Sequence, residues 1–122
     1  MTQVLTITLN PAIDQTIPVQ KLIPGEVHRA TGHSSTPGGK GIGVSIILAS
    51  LGVRTTATGW LGADNDSLFV QAFERNGIKD AMVRLPGNTR TNVKIVDNEA
   101  GESTDVNLPG IKLDAGEQAK DE

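Results

Sequence analysis

Residues Pro37-Gly38-Gly39-Lys40-Gly41-Ile42-Gly43 set four glycines and one lysine at the start of an apolar run that extends to about Leu51. Glycine lets a backbone turn sharply and come close to a ligand. A helix that starts behind such a loop offers free N–H groups and the positive end of its dipole, which suit an anion or a sugar oxygen. The lysine adds a point charge for a phosphate. Two readings stand on the loop alone: a site for a phosphorylated ligand, or a tight strand-to-helix turn that binds nothing. Two familiar phosphate loops are excluded. A Walker loop needs glycine at Ser34 and a hydroxyl residue at Gly41. The dinucleotide fingerprint needs a third glycine where Val44 stands, and it directly follows the first strand.

Asp14 and Arg90 are the other residues whose types suit such a ligand. A carboxylate just past a strand end can accept two sugar hydroxyl hydrogens as charged hydrogen bonds, or it can cap the turn after Pro11. Arginine binds phosphate through two parallel N–H donors; a solvated arginine at a strand start is the plainer alternative. Metal chemistry has little to work with, since there is no cysteine and the histidines are His28 and His33 alone. A net charge of −3 gives no basic footprint for nucleic acid. No apolar run approaches the roughly 20 residues of a membrane span, and the first residues read as a strand without a signal peptide's regions. A cytoplasmic protein is expected.

The elements that must position these residues can be read coarsely. Val4–Leu9 alternates Val, Ile and Leu with Thr and reads as a strand stopped by Pro11. Short β pieces are expected around Ile17–Val19 and Glu26–Ala30, with residues 32–37 as a small polar lead into the glycine loop. In the following helix Val44, Ile47, Leu48 and Leu51 share a face, and Ile42, Ile46 and Ala49 fill most of the rest, so burial on several sides is expected. Gly52 is the expected C-cap. Arg54–Gly59 reads as a core strand, and Asp64 or Asp66 as the cap of a helix that runs through Asn76 to Gly77. Phe69 and Phe73, four apart, read as core packing. Lys79–Leu85, Thr91–Val96 and Ser103–Leu108 read as short strands, with a hairpin turn at 97–101. Asp114 is a candidate cap for a last helix. The β-α-β-α alternation predicts an α/β fold with parallel strands.

Four segments in order carry a resemblance: Thr6–Asp14, Pro37–Gly43, Thr89–Lys94 and Thr104–Gly110. Together they resemble the N-terminal part of the pfkB-type, ribokinase-like carbohydrate kinases, most of all the bacterial 1-phosphofructokinase branch, with tagatose-6-phosphate kinase next. The resemblance covers essentially the whole chain. It implies one incomplete kinase domain over 1–122, with a parallel core at about 1–10 and 38–77 and a β-sheet lid at about 11–37 and 78–108. It implies that Asp14, Gly38, Gly39, Lys40 and Arg90 bind the sugar phosphate, with Arg29, Asn92, Lys94 and Asn107 as weaker candidates. The family's loop carries Asn where this chain has Gly43, so position 43 is left out of that set. The family's catalytic base lies in a Gly-Ala-Gly-Asp type motif near the C-terminus, with the ATP and magnesium sites in the same half. No such motif occurs in the 122 residues. The resemblance therefore implies a base beyond residue 122, no metal or nucleotide site in this chain, and the N-terminal portion of a chain of roughly 300 residues. The implied reaction is ATP-dependent phosphorylation of fructose 1-phosphate, with tagatose 6-phosphate or fructose 6-phosphate as alternative substrates. The rival is a non-catalytic fragment that binds a sugar phosphate weakly or only associates through its lid. A dimer through an open lid edge is a further expectation.

Overall fold

A computed structural model describes residues 3–110. In chain order its elements are β1 (Gln3–Thr8), β2 (Ala12–Val19), β3 (Ser34–Gly38), α1 (Lys40–Ser50), β4 (Arg54–Gly62), a 3-10 turn (Ala63–Asn65), α2 (Ser67–Asn76), β5 (Lys79–Leu85), β6 (Arg90–Asp97) and β7 (Glu102–Asn107). Two sheets result. One is parallel, in the order β1-β4-β5; the other has four strands in the order β3-β2-β6-β7. This is the expected α/β architecture, a parallel core beside a separate small sheet.

The core forms where α1 and α2 meet one face of the parallel sheet. Ile42, Ala57, Leu61, Phe69, Phe73, Ile78 and Met82 are buried together there. The aromatic pair of α2 thus packs inward, as its spacing predicts. Both helices end on glycine turns. Gly52 N–H bonds the Ala49 carbonyl and Val53 N–H the Leu48 carbonyl, each at 3.0 Å, while Gly77 adopts the left-handed region.

Four expectations change. Lys79–Leu85 is not a lid strand: it pairs in parallel with β4 from Thr56↔Lys79 to Gly62↔Leu85. The β4-α2-β5 unit is a crossover whose last strand must return to the same sheet, so the core continues to Leu85. Glu26–Ala30 forms no strand. The strand lies at β3, whose polar Ser34, Ser35 and Thr36 show no apolar alternation and are held by antiparallel pairing to β2. α1 turns a different side inward. Ile42 and Ser45 are fully buried, whereas Val44, Ile47 and Leu51 are 47%, 62% and 72% exposed. Close packing decides this: Ser45 Oγ lies 2.7 Å from Thr6 Oγ1, and a Cβ at Gly41 would come within 2.7 Å of the Ile7 carbonyl. Finally, Asp66 sits at the N-cap of α2 without capping it. Its carboxylate instead accepts from Arg84 Nε at 3.0 Å. Arg84 also grips Asp80 through both terminal nitrogens, which holds the Asp80 carboxyl below the usual carboxylate range. The helix anticipated after Asp114 lies outside the described residues.

The second sheet is closed by the predicted hairpin. β6 and β7 pair antiparallel from Asn92↔Asn107 to Asp97↔Glu102. The Asp97 carboxylate accepts backbone N–H groups of Ala100 (2.9 Å), Leu22 (3.0 Å) and Glu99 (3.0 Å). These donors hold its carboxyl below the usual range.

Candidate functional site

The first turn of α1 opens at the carboxyl end of β1. Gly39 is its N-cap at φ 129°, a backbone state that residues with side chains rarely adopt. No side chain among the described residues caps this helix, which leaves its first N–H groups to a ligand or water. A Cβ at Gly38 would collide with the Asp14 carboxylate, and one at Gly39 would stand 2.6 Å from Thr8 Cγ2. The loop is glycine because β1 and the start of β2 approach it this closely.

Pairing in the second sheet brings the distant candidates together. β2 lies parallel to β6 with Ala12↔Arg90, Asp14↔Asn92 and Thr16↔Lys94 in register. Thr36 of β3 flanks Asp14 on one side, and Asn107 of β7 flanks Asn92 on the other. Thr36, Asp14, Asn92 and Asn107 therefore form one row across four strands. Asn92 Nδ2 donates to Asp14 Oδ1 at 3.3 Å, and Arg90 Nη1 donates to Asn92 Oδ1 at 3.0 Å. Arg90 also donates to the carbonyls of Pro11 (Nε, 3.3 Å) and Asn10 (Nη2, 3.4 Å).

Two clefts share this row. The first, about 690 Å³, is lined by Asp14, Gly39, Lys40, Gly41, Arg90 and Asn92, with Ile7 and Thr8 at the end of β1, Leu9 and Asn10 just after it, and Ala12 at the start of β2. The second, about 450 Å³, is lined by Thr36, Lys94, Asp105 and Asn107 together with Asp14 and Asn92. Of the residues singled out from sequence, Asp14, Gly39, Lys40, Arg90 and Asn92 thus meet in the first cleft. Gly38 stands directly behind Asp14, and Lys94 and Asn107 line the second cleft. Arg29 is exposed and lines neither.

Sequence reasoning missed several participants. Asn10, between the first strand and Pro11, is given no role by the sequence, yet it lines the cleft and its carbonyl holds Arg90. Thr8 reads as a strand residue, yet it lines the cleft and its buried Oγ1 has no hydrogen-bond partner among the described residues. Asn65 and Thr89 form a reciprocal latch: Asn65 Nδ2 donates to the Thr89 carbonyl at 2.9 Å, and Thr89 N–H donates to Asn65 Oδ1 at 2.7 Å. Thr89 Oγ1 also accepts from Gly62 N–H at 2.8 Å. This latch fixes the residue before Arg90, and no local pattern announces a contact between positions 24 apart.

Chemically, the first cleft combines one carboxylate, two cations, two carboxamides and an uncapped helix start. That set can hold a polyol through Asp14 and Asn92 while Lys40, Arg90 and the helix N–H groups face an anion. Among the described residues, no three His, Cys, Asp or Glu side chains gather to hold a metal ion. No helix among them is long and apolar enough to cross a membrane.

Comparison with known proteins gives this geometry its context. The family description "pfkB family carbohydrate kinase" matches residues 1–121. The chain is 49% identical over 111 residues to a 1-phosphofructokinase of Xanthomonas campestris pv. campestris, covering 91% of this chain and 35% of that protein. A 1-phosphofructokinase of Vibrio cholerae is 46% identical over the same shares. Among solved structures, phosphofructokinase-2 from Escherichia coli in complex with fructose-6-phosphate superimposes with a TM-score of 0.82 at 28% identity, over 98% of this chain and 40% of that one. The chain thus spans about a third of the length of the curated relatives it matches. With a parallel core, a separate small sheet and a family match over nearly its whole length, the chain belongs to the pfkB family of carbohydrate kinases and forms the N-terminal part of a ribokinase-like fold.

Proposed function

We propose that this chain supplies the sugar-phosphate-binding part of a kinase that phosphorylates fructose 1-phosphate on its 6-hydroxyl, giving fructose 1,6-bisphosphate. The observation that carries the reading is the hydrogen-bonded series Arg90–Asn92–Asp14 along the wall of the cleft that α1 opens into. In this reading Asp14 accepts hydrogens from the sugar hydroxyls and so orients the ring. Lys40, Arg90 and the first N–H groups of α1 neutralise the phosphate already on the sugar. Lys94 and Asn107 contact the sugar's far side from the second cleft.

The transfer forms a bond between the sugar oxygen and phosphorus and breaks the bond from that phosphorus to the leaving nucleoside diphosphate. Such transfers depend on positioning and charge stabilisation, and positioning the acceptor is what these residues do. ATP, magnesium and the base that takes the hydroxyl proton are assigned to the remainder of the kinase. The names of the relatives support fructose 1-phosphate as substrate. Fructose 6-phosphate, bound by the E. coli neighbour, and tagatose 6-phosphate are the alternatives. The same reading places the kinase in the cytoplasm, as a dimer joined through the lid edge at β7.

A specific observation favours a second reading for the 122 residues by themselves, namely binding without turnover: they lack a Gly-Ala-Gly-Asp motif. One titration addresses both. The 15N-labelled chain is titrated with fructose 1-phosphate, with each alternative sugar phosphate and with fructose, while a parallel assay with ATP follows fructose 1,6-bisphosphate. Amide shifts at 38–41, 90 and 92 that saturate at the lowest concentration for fructose 1-phosphate, without product, are expected. Shifts confined to other regions, or none with any of the sugar phosphates, would overturn the assignment.

A further inference from the structure

Asn65 lines neither cleft, yet it grips the chain next to a residue that does. It ends the 3-10 turn between β4 and α2. Leu61 before the turn and Phe69 after it are fully buried in the core, so both sides of the turn are anchored there.

The chain passes from one sheet to the other beside this turn. β5 leaves the parallel sheet at Leu85, opposite Gly62, and β6 enters the second sheet at Arg90, opposite Ala12. The connection between them is held at several points. Asp64 N–H bonds the Gly87 carbonyl at 2.9 Å, and Gly62 N–H bonds Thr89 Oγ1 at 2.8 Å. A Cβ at Gly62 would collide with the Thr89 backbone nitrogen, which explains the glycine. Asn65 then takes both backbone groups of Thr89, its N–H and its carbonyl. Thr89 is 2% exposed and precedes the first residue of β6, so neither water nor the strand ladder can replace those bonds. A carboxamide suits the exchange because one planar group supplies a donor and an acceptor side by side. An ionised aspartate lacks the donor, and alanine lacks both.

What depends on Thr89 is Arg90. The Arg90 guanidinium reaches the carbonyls of Pro11 at 3.3 Å and Asn10 at 3.4 Å, just beyond the usual range of about 2.7–3.2 Å. Contacts at that limit are lost with a small backbone shift. Pairing with β2 places Arg90 from one side, and the latch places it from the residue before. We propose that Asn65 is a positioning residue for phosphate recognition: from a turn anchored on the core it holds Thr89, and through Thr89 it sets the Arg90 guanidinium at the cleft wall. This rests on the reading that Arg90 faces the phosphate already on the sugar. Because Asn65 lies outside both clefts, its effect passes through Arg90 and falls on the phosphate rather than on the sugar ring.

The test uses the 122-residue chain, Asn65→Ala and Asn65→Asp, with circular dichroism checking that each folds. Asn65→Asp keeps the size and the bond to Thr89 N–H, and carries the test if Asn65→Ala does not fold. The first measurement needs no ligand. Solvent exchange of the 15N-labelled Arg90 Nε–H should be about tenfold faster or more in either variant than in the parent. The second is the affinity for fructose 1-phosphate and for fructose. Asn65→Ala should weaken fructose 1-phosphate binding about tenfold and leave fructose nearly unchanged. It should cost nothing further once Arg90→Ala is present, because the two substitutions remove one interaction. Asn76→Ala, which removes a similar amide-to-carbonyl bond at the far end of α2, should change neither measurement. The proposal is overturned if Arg90 Nε–H exchange is the same in parent and variants, if both sugars weaken equally, or if the full loss persists without Arg90. If exchange rises as expected but the parent binds fructose 1-phosphate no better than fructose, the positioning of Arg90 stands and the proposed function fails.

Discussion

Arg90 is tied to the protein by three contacts before any ligand arrives, to the carbonyls of Asn10 and Pro11 and to Asn92. A phosphate-binding role and a bracing role both fit those contacts, and substitution separates them. If it meets the phosphate, Arg90→Ala should weaken fructose 1-phosphate binding by roughly 1.5–3 kcal/mol, the range for charged hydrogen bonds, and leave the weaker binding of fructose nearly unchanged. Arg90→Lys should restore part of the loss, since an ammonium keeps the charge without the planar fork. The measurement is the affinity of both sugars for the three forms at one salt concentration; equal losses for both sugars would mean that Arg90 only braces the turn at Asn10. Gly43 presents the opposite situation, a side chain missing where space exists. A Cβ there would meet nothing within 4 Å, so Gly43→Asn fits without strain. The added amide should tighten fructose 1-phosphate binding by about 1 kcal/mol, the net worth of one hydrogen bond. Calorimetry that finds equal or weaker binding would mean the loop is adapted to glycine.

Elements with a local code were legible, and elements held by distant pairing were not. Thr–apolar alternation marks β1, the Phe69–Phe73 spacing gives the inward face of α2, and the polar run at 97–101 marks the hairpin. β3 was missed because its Ser, Thr and Pro residues are ordered by β2 rather than by their own propensity. The buried side of α1 was misread because Gly41 and Ser45, which hydropathy ranks low, are what let the helix sit close to β1. In the candidate site, Asp14 and the glycine loop could be put forward from sequence because their residue types suit a ligand and the resemblance assigns them to it. Asn10, Thr8 and the Asn65–Thr89 latch could not, because their roles come from contacts across the fold. The hairpin also carries a pH dependence. Asp97 has a depressed carboxyl pKa because it accepts backbone N–H groups that hold together the 97–101 turn and the chain after β2. Its stabilising effect should be fully present above the unfolded value, about 4, and be lost as pH falls through the lower folded value. Asp97→Asn should therefore be less stable than the parent at pH 7, and the gap should close in acid. Urea unfolding of both forms at pH 7 and in steps below pH 4 checks this; a gap that stays constant with pH would remove the carboxylate's charge from the explanation.

The two sheets of the molecule are unequally packed, which bears on how a ligand enters. β4 and β6 are both central strands, each paired on both sides, β4 with β1 and β5 and β6 with β2 and β7. Hydrogen bonding alone would protect them alike. Packing differs: the buried core cluster belongs to the parallel sheet and the helices against it, with Ile13 of the second sheet only partly buried at its margin. β6 has one buried residue, Asp97, and β7 is exposed along its whole length. Local opening takes less free energy where fewer apolar contacts are lost. The second sheet should therefore open as a unit while the parallel sheet stays closed, and the β6 amides should exchange with solvent well before those of β4. Asp14, Arg90 and Asn92 all lie on that looser sheet, whereas Gly39 and Lys40 begin a helix packed on the tighter one. Opening would then part the cleft along the line between its Asp14–Asn92 wall and its helix start, giving a ligand a way in without disturbing the core. Hydrogen exchange followed strand by strand decides the matter, and a ligand should slow β6 more than β4. Equal protection of the two strands in the free chain would mean that the sheets form one cooperative unit and that the cleft is entered by some other movement.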